Sequence, residues 1–239
     1  MTVPFQTAVV TGTSRGFGHA IAEALHSAGT RVVGVARTPQ DAGFTTVTAD
    51  ATDEAVASAI VGEHRPDLLV LNAGAVPHMA PVHEQTWETF SRHWHTDVRH
   101  AFAWTKAALR TPLAPGSVVV LMSSGAAIGG SPLSGGYASA KAAVRYLRAY
   151  GSDEAARAGL GIRFVALLPQ LTPLGGVGAA GVTGYASRQG IPRETFIENL
   201  HPVLTPEQVA KAVLEVASTP DGDAEYQVNG TGTQPVAGG

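Results

Sequence analysis

Tyr137 and Lys141 stand four residues apart at the start of a helix-like segment. That spacing puts a phenol and an ammonium on one helix face, about 6 Å apart along the axis. A phenol ordinarily ionises near pH 10, and a neighbouring cation stabilises the phenolate and draws that value toward neutrality. A phenol tuned this way can act as a general acid or base. Tyr-x3-Lys alone is common and usually marks only a helix face. Here it follows a stretch, 111–140, without Asp, Glu, Lys or Arg, so Lys141 has little competition as the local cation. Ser124 follows the apolar run SVVVLM and lies thirteen residues before Tyr137. A hydroxyl at the C-terminal end of a strand can polarise a carbonyl group.

A second constellation lies near the N-terminus, in Thr11-Gly12-Thr13-Ser14-Arg15-Gly16-Phe17-Gly18. It sits between a predicted strand and a predicted helix. Glycines let backbone approach a pyrophosphate, and a helix N-terminus offers free N–H groups and a positive dipole. The spacing is Gly-x3-Gly-x-Gly, not the general GxGxxG, so context carries the reading. Arg37 follows the second strand directly, where an adenosine ribose would lie. An acidic side chain there would accept from a 2′-hydroxyl, whereas a cation favours a 2′-phosphate. Arg15 adds a second cation, so the sequence favours NADP(H) over NAD(H).

The elements that must hold these groups alternate. Strands are predicted at Thr7–Val10, Arg31–Ala36, Val47–Ala49, Asp67–Leu71, Ser117–Met122, Ile162–Leu168 and Tyr226–Val228. Helices are predicted at Ala20–Ala28, Glu54–Glu63, Thr86–Leu109, Tyr137–Ala158 and Pro206–Ala217. Strands that are apolar throughout are buried on both faces, and their alternation with helices gives an α/β, Rossmann-type, doubly wound parallel sheet. No linker interrupts the alternation, so one domain is expected over 1–239.

Composition narrows the function. The 239 residues carry a formal net charge of −3, which leaves no basic excess for a nucleic-acid partner. The absence of Cys excludes disulfides, thiolate metal sites and a Cys nucleophile. The charge-free stretches are broken by Pro and Gly, so no membrane span is expected. No signal peptide is apparent, and a cytoplasmic protein is expected. His83, His93, His95 and His100 cluster near Trp87, Trp94 and Trp104, without the carboxylate spacing of HExxH, so no metal site is expected. Asp53-Glu54 is explained by the charge preference of a helix start.

Taken together, these residues resemble the short-chain dehydrogenase/reductase family, classical type. The resemblance rests on the TGTSRGFG loop, Asp50 after the third strand, Asn72-Ala73-Gly74 after the fourth, Ser124, and Tyr137-x3-Lys141, in the family's order and spacing. It covers about residues 5–170 well and the rest loosely. It implies a nicotinamide cofactor and carbonyl–alcohol interconversion on a small molecule. Gly12, Gly16 and Gly18, with Ser14, Arg15 and Phe17, would form the pyrophosphate loop; Asp50 and Ala51 would face the adenine. Asn72, Ala73 and Gly74 would support the sheet beside the cofactor. Tyr137 would be the acid for reduction and the base for oxidation, Lys141 would hold the nicotinamide ribose, and Ser124 would bind the carbonyl oxygen. The family also commonly forms homodimers or homotetramers through its long fourth and fifth helices.

Two positions depart from the family pattern. Where the family has Asn in V-N-L-x-G-x-F, the chain reads Thr96-Asp97-Val98-Arg99-His100-Ala101-Phe102. An Asp accepts but does not donate, and its charge would partly offset that of Lys141. After the sixth strand, Pro169-Gln170 replaces the usual Pro-Gly, ahead of Leu171-Thr172-Pro173. Pro169 and Thr172 would still lie by the nicotinamide, with Gln170 narrowing the pocket or touching substrate. Residues 174–200 form a Gly- and Ala-rich insertion placed like the family's substrate lid, with Phe196, Ile197 and Leu200 as a candidate apolar wall. Two other functions are compatible with this family's fold. A lyase-type relative such as a halohydrin dehalogenase would lose the glycine loop and carry Arg for the lysine, and this chain does neither. A non-catalytic dinucleotide sensor would be expected to lose the Tyr or the Lys; Asp97 and Gln170 leave it some room.

Overall fold

The apolar runs become the strands of one sheet in the computed structural model, which describes residues 5–38 and 41–236. The strands are β1 (Thr7–Thr11), β2 (Arg31–Ala36), β3 (Thr45–Thr48), β4 (Leu68–Leu71), β5 (Val118–Met122), β6 (Arg163–Pro169), β7 (Glu225–Asn229) and β8 (Gly232–Pro235). They lie in the order β3-β2-β1-β4-β5-β6-β7-β8. Every neighbouring pair is parallel except β7 with β8. The chain therefore runs outward from β1 to β3, then returns to β4 on the other side of β1. That reversal opens a crevice at the C-terminal ends of β1 and β4.

Alternate side chains of the same strands feed two cores. Ala8, Val10, Leu68, Val70, Val118 and Val120 face one layer, where α1 (Gly16–Ser27) and α9 (Pro206–Ala217) pack. Val9, Leu69, Leu71, Val119 and Leu121 face the other, with α2 (Glu54–His64), α4 (Arg99–Arg110) and α6 (Gly135–Arg157). Fully burying one such aliphatic side chain contributes about 1.5–3 kcal/mol, which is why the central strands tolerate no charge. Trp104 of α4 is wholly buried, and its Nε1 donates to the Ala51 carbonyl at 2.8 Å.

Several elements differ from the sequence expectation. The helix expected over 86–109 is divided into α3 (Trp87–His93), a π-helical turn at Trp94–Val98, and α4. The Thr96 hydroxyl donates to the Arg92 carbonyl at 3.0 Å, competing for an acceptor of the helix ladder. The α1 helix begins at Gly16, inside the glycine loop, because tertiary packing of Phe17 and Gly18 overrides weak local propensity. The Gly- and Ala-rich insertion 174–200, for which no helix was expected, contains α7 (Gly176–Gln189) and α8 (Arg193–Glu198), folded around Val182, Ala186 and Phe196. A short helix, α5 (Ala126–Gly129), and the antiparallel strand β8 were also not foreseen. Among the described residues no helix is long and apolar enough to cross a membrane.

Candidate active site

The crevice between β1 and β4 gathers the glycine loop. A Cβ on Gly18 would stand 2.3 Å from the Gly12 carbonyl oxygen and 2.4 Å from Asn72 Nδ2, so only glycine lets α1 start this close to β4. Gly16, at φ +62, has no atom of the described residues outside its own turn within 4 Å of where its Cβ would point, and that side of the loop is open. The first turn of α1 has neither a side-chain cap nor an acidic residue, which leaves its N–H groups and dipole available to an anion. These features fit a dinucleotide pyrophosphate.

The loop is fastened to β4 by two side chains. Thr11 Oγ1 accepts from the backbone N–H groups of Asn72 (2.9 Å) and Ala73 (3.1 Å), and Asn72 Nδ2 donates to the Thr11 carbonyl at 3.1 Å. Thr11 Oγ1 also shares a 2.9 Å hydrogen bond with His100 Nε2. His100 is wholly enclosed; desolvation, with Lys141 adding to it, lowers its pKa to about 3, so the ring is neutral. Ser14, Arg15 and Arg37 are exposed along the rim, and Phe17 is half-buried against the core. Asp50 accepts from the Thr52 N–H at 2.9 Å; that bond, aided by the charges of Arg37 and Arg99, lowers its pKa.

The floor of the crevice is a buried cluster of charge. Lys141 Nζ donates to the Met122 carbonyl at 3.0 Å and stands 3.0 Å from Asp97 Oδ1. The second contact is a close ion pair, and Oδ1 has no hydrogen-bond partner among the described residues. Asp97 Oδ2 is met by His93 Nδ1 at 3.1 Å and the Ala75 N–H at 3.2 Å, and the Thr96 hydroxyl, 2.8 Å away, shares its single proton between Oδ2 and the Arg92 carbonyl. Burial alone would raise the Asp97 pKa; Lys141 and His93 outweigh it, and the carboxyl stays well below its usual range. Burial would likewise lower the Lys141 pKa, but Asp97 reverses the direction and raises it. Both groups are therefore charged at neutral pH. The Lys141 ammonium lies 5.7 Å from the centre of the half-buried Tyr137 ring. His93 meets that ring edge-on at 5.2 Å between centroids. Gly136 makes this approach possible: a Cβ there would fall 2.1 Å from the Phe90 carbonyl oxygen, so any side chain would push α3 away from α6.

Ser124 is buried, and its Oγ accepts from the Ala126 N–H at 3.2 Å, which leaves its proton free to donate. The neighbouring Ser123 donates to the Lys141 carbonyl at 2.8 Å and ties β5 to α6. Pro169 ends β6, and its carbonyl accepts from the Gly125 N–H at 2.9 Å. Gln170 is exposed, with its Cγ 3.8 Å from the position of a Cβ on Gly125, close to Ser124. The Thr172 hydroxyl is buried and donates to the Leu204 carbonyl at 2.6 Å, so it is already committed to backbone.

The segment 174–200 faces this site. A Cβ on Gly176 would lie 3.8 Å from the Arg15 guanidinium, and Tyr185 is hydrogen-bonded to Ser131, itself 2.6 Å from Ser134. Phe196, Ile197 and Leu200 pack on Val182 and Ala186 and so form a small core within the segment. A cavity of about 440 Å³ opens between Pro81–His83, Ser131, Pro132, Gly135 and Arg188. The sequence weighed His93 and His100 only as metal candidates and assigned neither to the site. The spacing of His93 and Asp97, four apart, was the signal available.

Comparison with known proteins agrees with this architecture. The family model for short chain dehydrogenases matches residues 6–176. The chain belongs to that family, in its classical form. It is 33% identical over 231 residues to cis-4-hydroxycyclohexanecarboxylate dehydrogenase of Sinomonas cyclohexanicum, covering 89% of each protein. It is 36% identical over 148 residues to bovine (Bos taurus) L-xylulose reductase, a match that spans 57% of this chain and 60% of the relative. Against pig (Sus scrofa) carbonyl reductase [NADPH] 2 it is 37% identical over 124 residues, 47% of this chain and 50% of the relative. A crystal structure described as an NAD(P)-dependent gluconate 5-dehydrogenase from Beutenbergia cavernae, with NADP bound at low occupancy, superposes with a TM-score of 0.77 at 27% identity, covering 94% and 95% of the two chains.

Proposed function

We propose that the chain is an NADP(H)-dependent oxidoreductase interconverting a carbonyl and the matching primary or secondary alcohol of a small molecule. One observation carries the reading: the Tyr137 phenol stands beside the buried Lys141 ammonium, below a glycine loop with open helix N–H groups. Gly12, Ser14, Arg15, Gly16, Phe17 and Gly18 hold the pyrophosphate; Asp50 and Ala51 border the adenine. Asn72, Ala73 and Gly74 support the crevice floor, and Pro169 with the backbone around Thr172 borders the nicotinamide. A nicotinamide seated there supplies or accepts the hydride.

The chain's own groups handle the proton. An ammonium has three N–H donors; Lys141 directs one to Met122 and one toward Asp97, and the third holds the cofactor ribose. Tyr137 gives its proton to the carbonyl oxygen in reduction and takes it back in oxidation. Ser124 donates to the same oxygen and fixes its position. Such positioned proton transfer contributes about 10²–10⁴ in rate. Arg15 and Arg37 favour a 2′-phosphate, and the NADP-bearing structural neighbour supports that choice. The cavity beside Gly135, two residues before Tyr137, suits a small and mainly apolar substrate. His83 and Arg188 at its rim suit a carboxylate on that substrate, and the Sinomonas relative is named for a hydroxycyclohexanecarboxylate. The segment 174–200 acts as the lid. Phe102, Tyr146 and Tyr150 are exposed on α4 and α6, and this face suits a homodimer or homotetramer contact.

The test is NADPH oxidation against a panel of ketones and aldehydes, with and without a carboxylate. Turnover that Tyr137→Phe lowers by about 10²–10⁴, at unchanged NADPH affinity, is expected. Binding without turnover across the panel overturns the reading in favour of a sensor.

A further inference from the structure

We propose that His93 is a positioning residue of this site: by donating its Nδ1–H to Asp97 it holds the carboxylate that fixes Lys141 beneath Tyr137. The inference rests on the oxidoreductase reading and adds a residue to it.

The geometry dictates the side chain at 97 first. His93 Nδ1 and the Ala75 N–H converge on Oδ2, with the Thr96 hydroxyl close by, and the Lys141 ammonium stands by Oδ1. One terminal atom of residue 97 therefore accepts hydrogen bonds, and the other faces a cation. A carboxylate does both, whereas an Asn would turn its NH2 toward either the Ala75 N–H or the ammonium. Asp suits both sides of position 97, and its carboxylate brings a negative charge next to the cation beside Tyr137. The neighbours of that charge decide how much of the ammonium's field survives at the phenol.

His93 is the side chain placed to share it. It is 2% exposed, and its Nδ1 faces the carboxylate, so Nδ1 carries the hydrogen. Its Nε2 is buried with no hydrogen-bond partner among the described residues. A bare lone pair there costs less than an unmet N–H, which is consistent with the same tautomer. The charged and titratable groups around His93 are Asp97 on its own helical run and Tyr137 and Lys141 on α6. His100 of α4 lies within reach of Lys141 and Asp97 electrostatically but is neutral. His93 therefore touches the phenol with its ring and the carboxylate with its proton.

Two variants separate positioning from packing. His93→Phe keeps the ring volume and removes the donor; His93→Asn removes volume and keeps an N–H near the Nδ1 position. For His93→Phe we expect kcat to fall about tenfold with cofactor affinity unchanged, and the half-maximal pH of alcohol oxidation to rise by about one unit. His93→Asn is expected to stay within about threefold of the parent kcat and to keep its pH profile, although it melts lower. A packing role reverses the order, making His93→Asn the more impaired, and overturns the proposal. So does a His93→Phe variant with the parent's kcat and pH profile. In the unmodified protein, 15N NMR should find the His93 proton on Nδ1; a proton on Nε2 alone overturns the proposal. The NMR reading needs no turnover, so failure of the oxidoreductase reading and failure of the role of His93 are seen separately.

Discussion

The charges that matter in this molecule fall in two regions with opposite physics. At the rim of the crevice Arg15, Arg37 and Asp50 stand exposed to solvent, and the two arginines are free to rearrange. On the crevice floor Lys141, Asp97, His93 and His100 are almost wholly enclosed. Exposed charges act through long-range attraction, which salt screens within about 10 Å at 0.1 M. Enclosed charges have lost their hydration, so each depends on its partners and none can move cheaply. The first region selects a ligand; the second holds a geometry.

Removing a member of the enclosed set should have the largest effect. Lys141→Met leaves Asp97 charged and without its cation, and breaking a buried pair this way costs about 3–5 kcal/mol. Urea denaturation of the cofactor-free protein should show that loss; a change under about 1 kcal/mol would mean that the floor is more hydrated than the geometry implies.

The pH dependence of stability sharpens the same contrast. The His100 pKa is depressed from 6.5 to about 3, so its contribution is complete above pH 6.5 and is lost as pH falls toward 3. Asp97, also depressed, adds its loss only as pH falls below about 3.8. Lys141 is raised, so its contribution holds below pH 10.5 and is lost above it. Denaturation midpoints should therefore be flat between about pH 6.5 and 10.5 and fall on the acid side first. In His100→Phe that early acid slope should flatten; an unchanged slope assigns it elsewhere.

Smaller effects belong to the exposed set. Arg37→Ala should weaken NADPH binding about tenfold while leaving NADH almost unchanged, and added salt should shrink the difference. Equal loss for both cofactors would remove Arg37 from 2′-phosphate selection. The exposed pair Lys106–Glu54, at 2.6 Å, provides the lower limit: Lys106→Ala should cost no more than about 1 kcal/mol.

The same division governs what could be read from the residues alone. The glycine loop, the apolar strands and Tyr137-x3-Lys141 are legible because residue type and local spacing are enough to pick them out. Boundaries that tertiary packing decides were harder to read: α1 starts four residues earlier than its periodicity suggests, and α7 forms on a Gly-rich stretch because Val182 and Ala186 find Phe196. The π turn at Trp94–Val98 has no periodic signature, although it carries Asp97. His93 shows the remaining gap. The i, i+4 rule that paired Tyr137 with Lys141 also pairs His93 with Asp97, but only burial turns that spacing into a hydrogen bond. Thr172 illustrates the converse, since its place after the sixth strand is legible while the bond from its hydroxyl to the Leu204 carbonyl is not.

The central claim is that hydride and proton transfer meet at Tyr137, and isotope labelling tests it most directly. NADPH carrying deuterium at both C4 positions of the nicotinamide should be incubated with an accepted carbonyl substrate and the alcohol analysed by mass spectrometry. The account predicts one deuterium on the carbinol carbon, and its loss in Tyr137→Phe at retained NADPH binding. Unlabelled alcohol, or labelled alcohol formed by Tyr137→Phe at the parent rate, would contradict it.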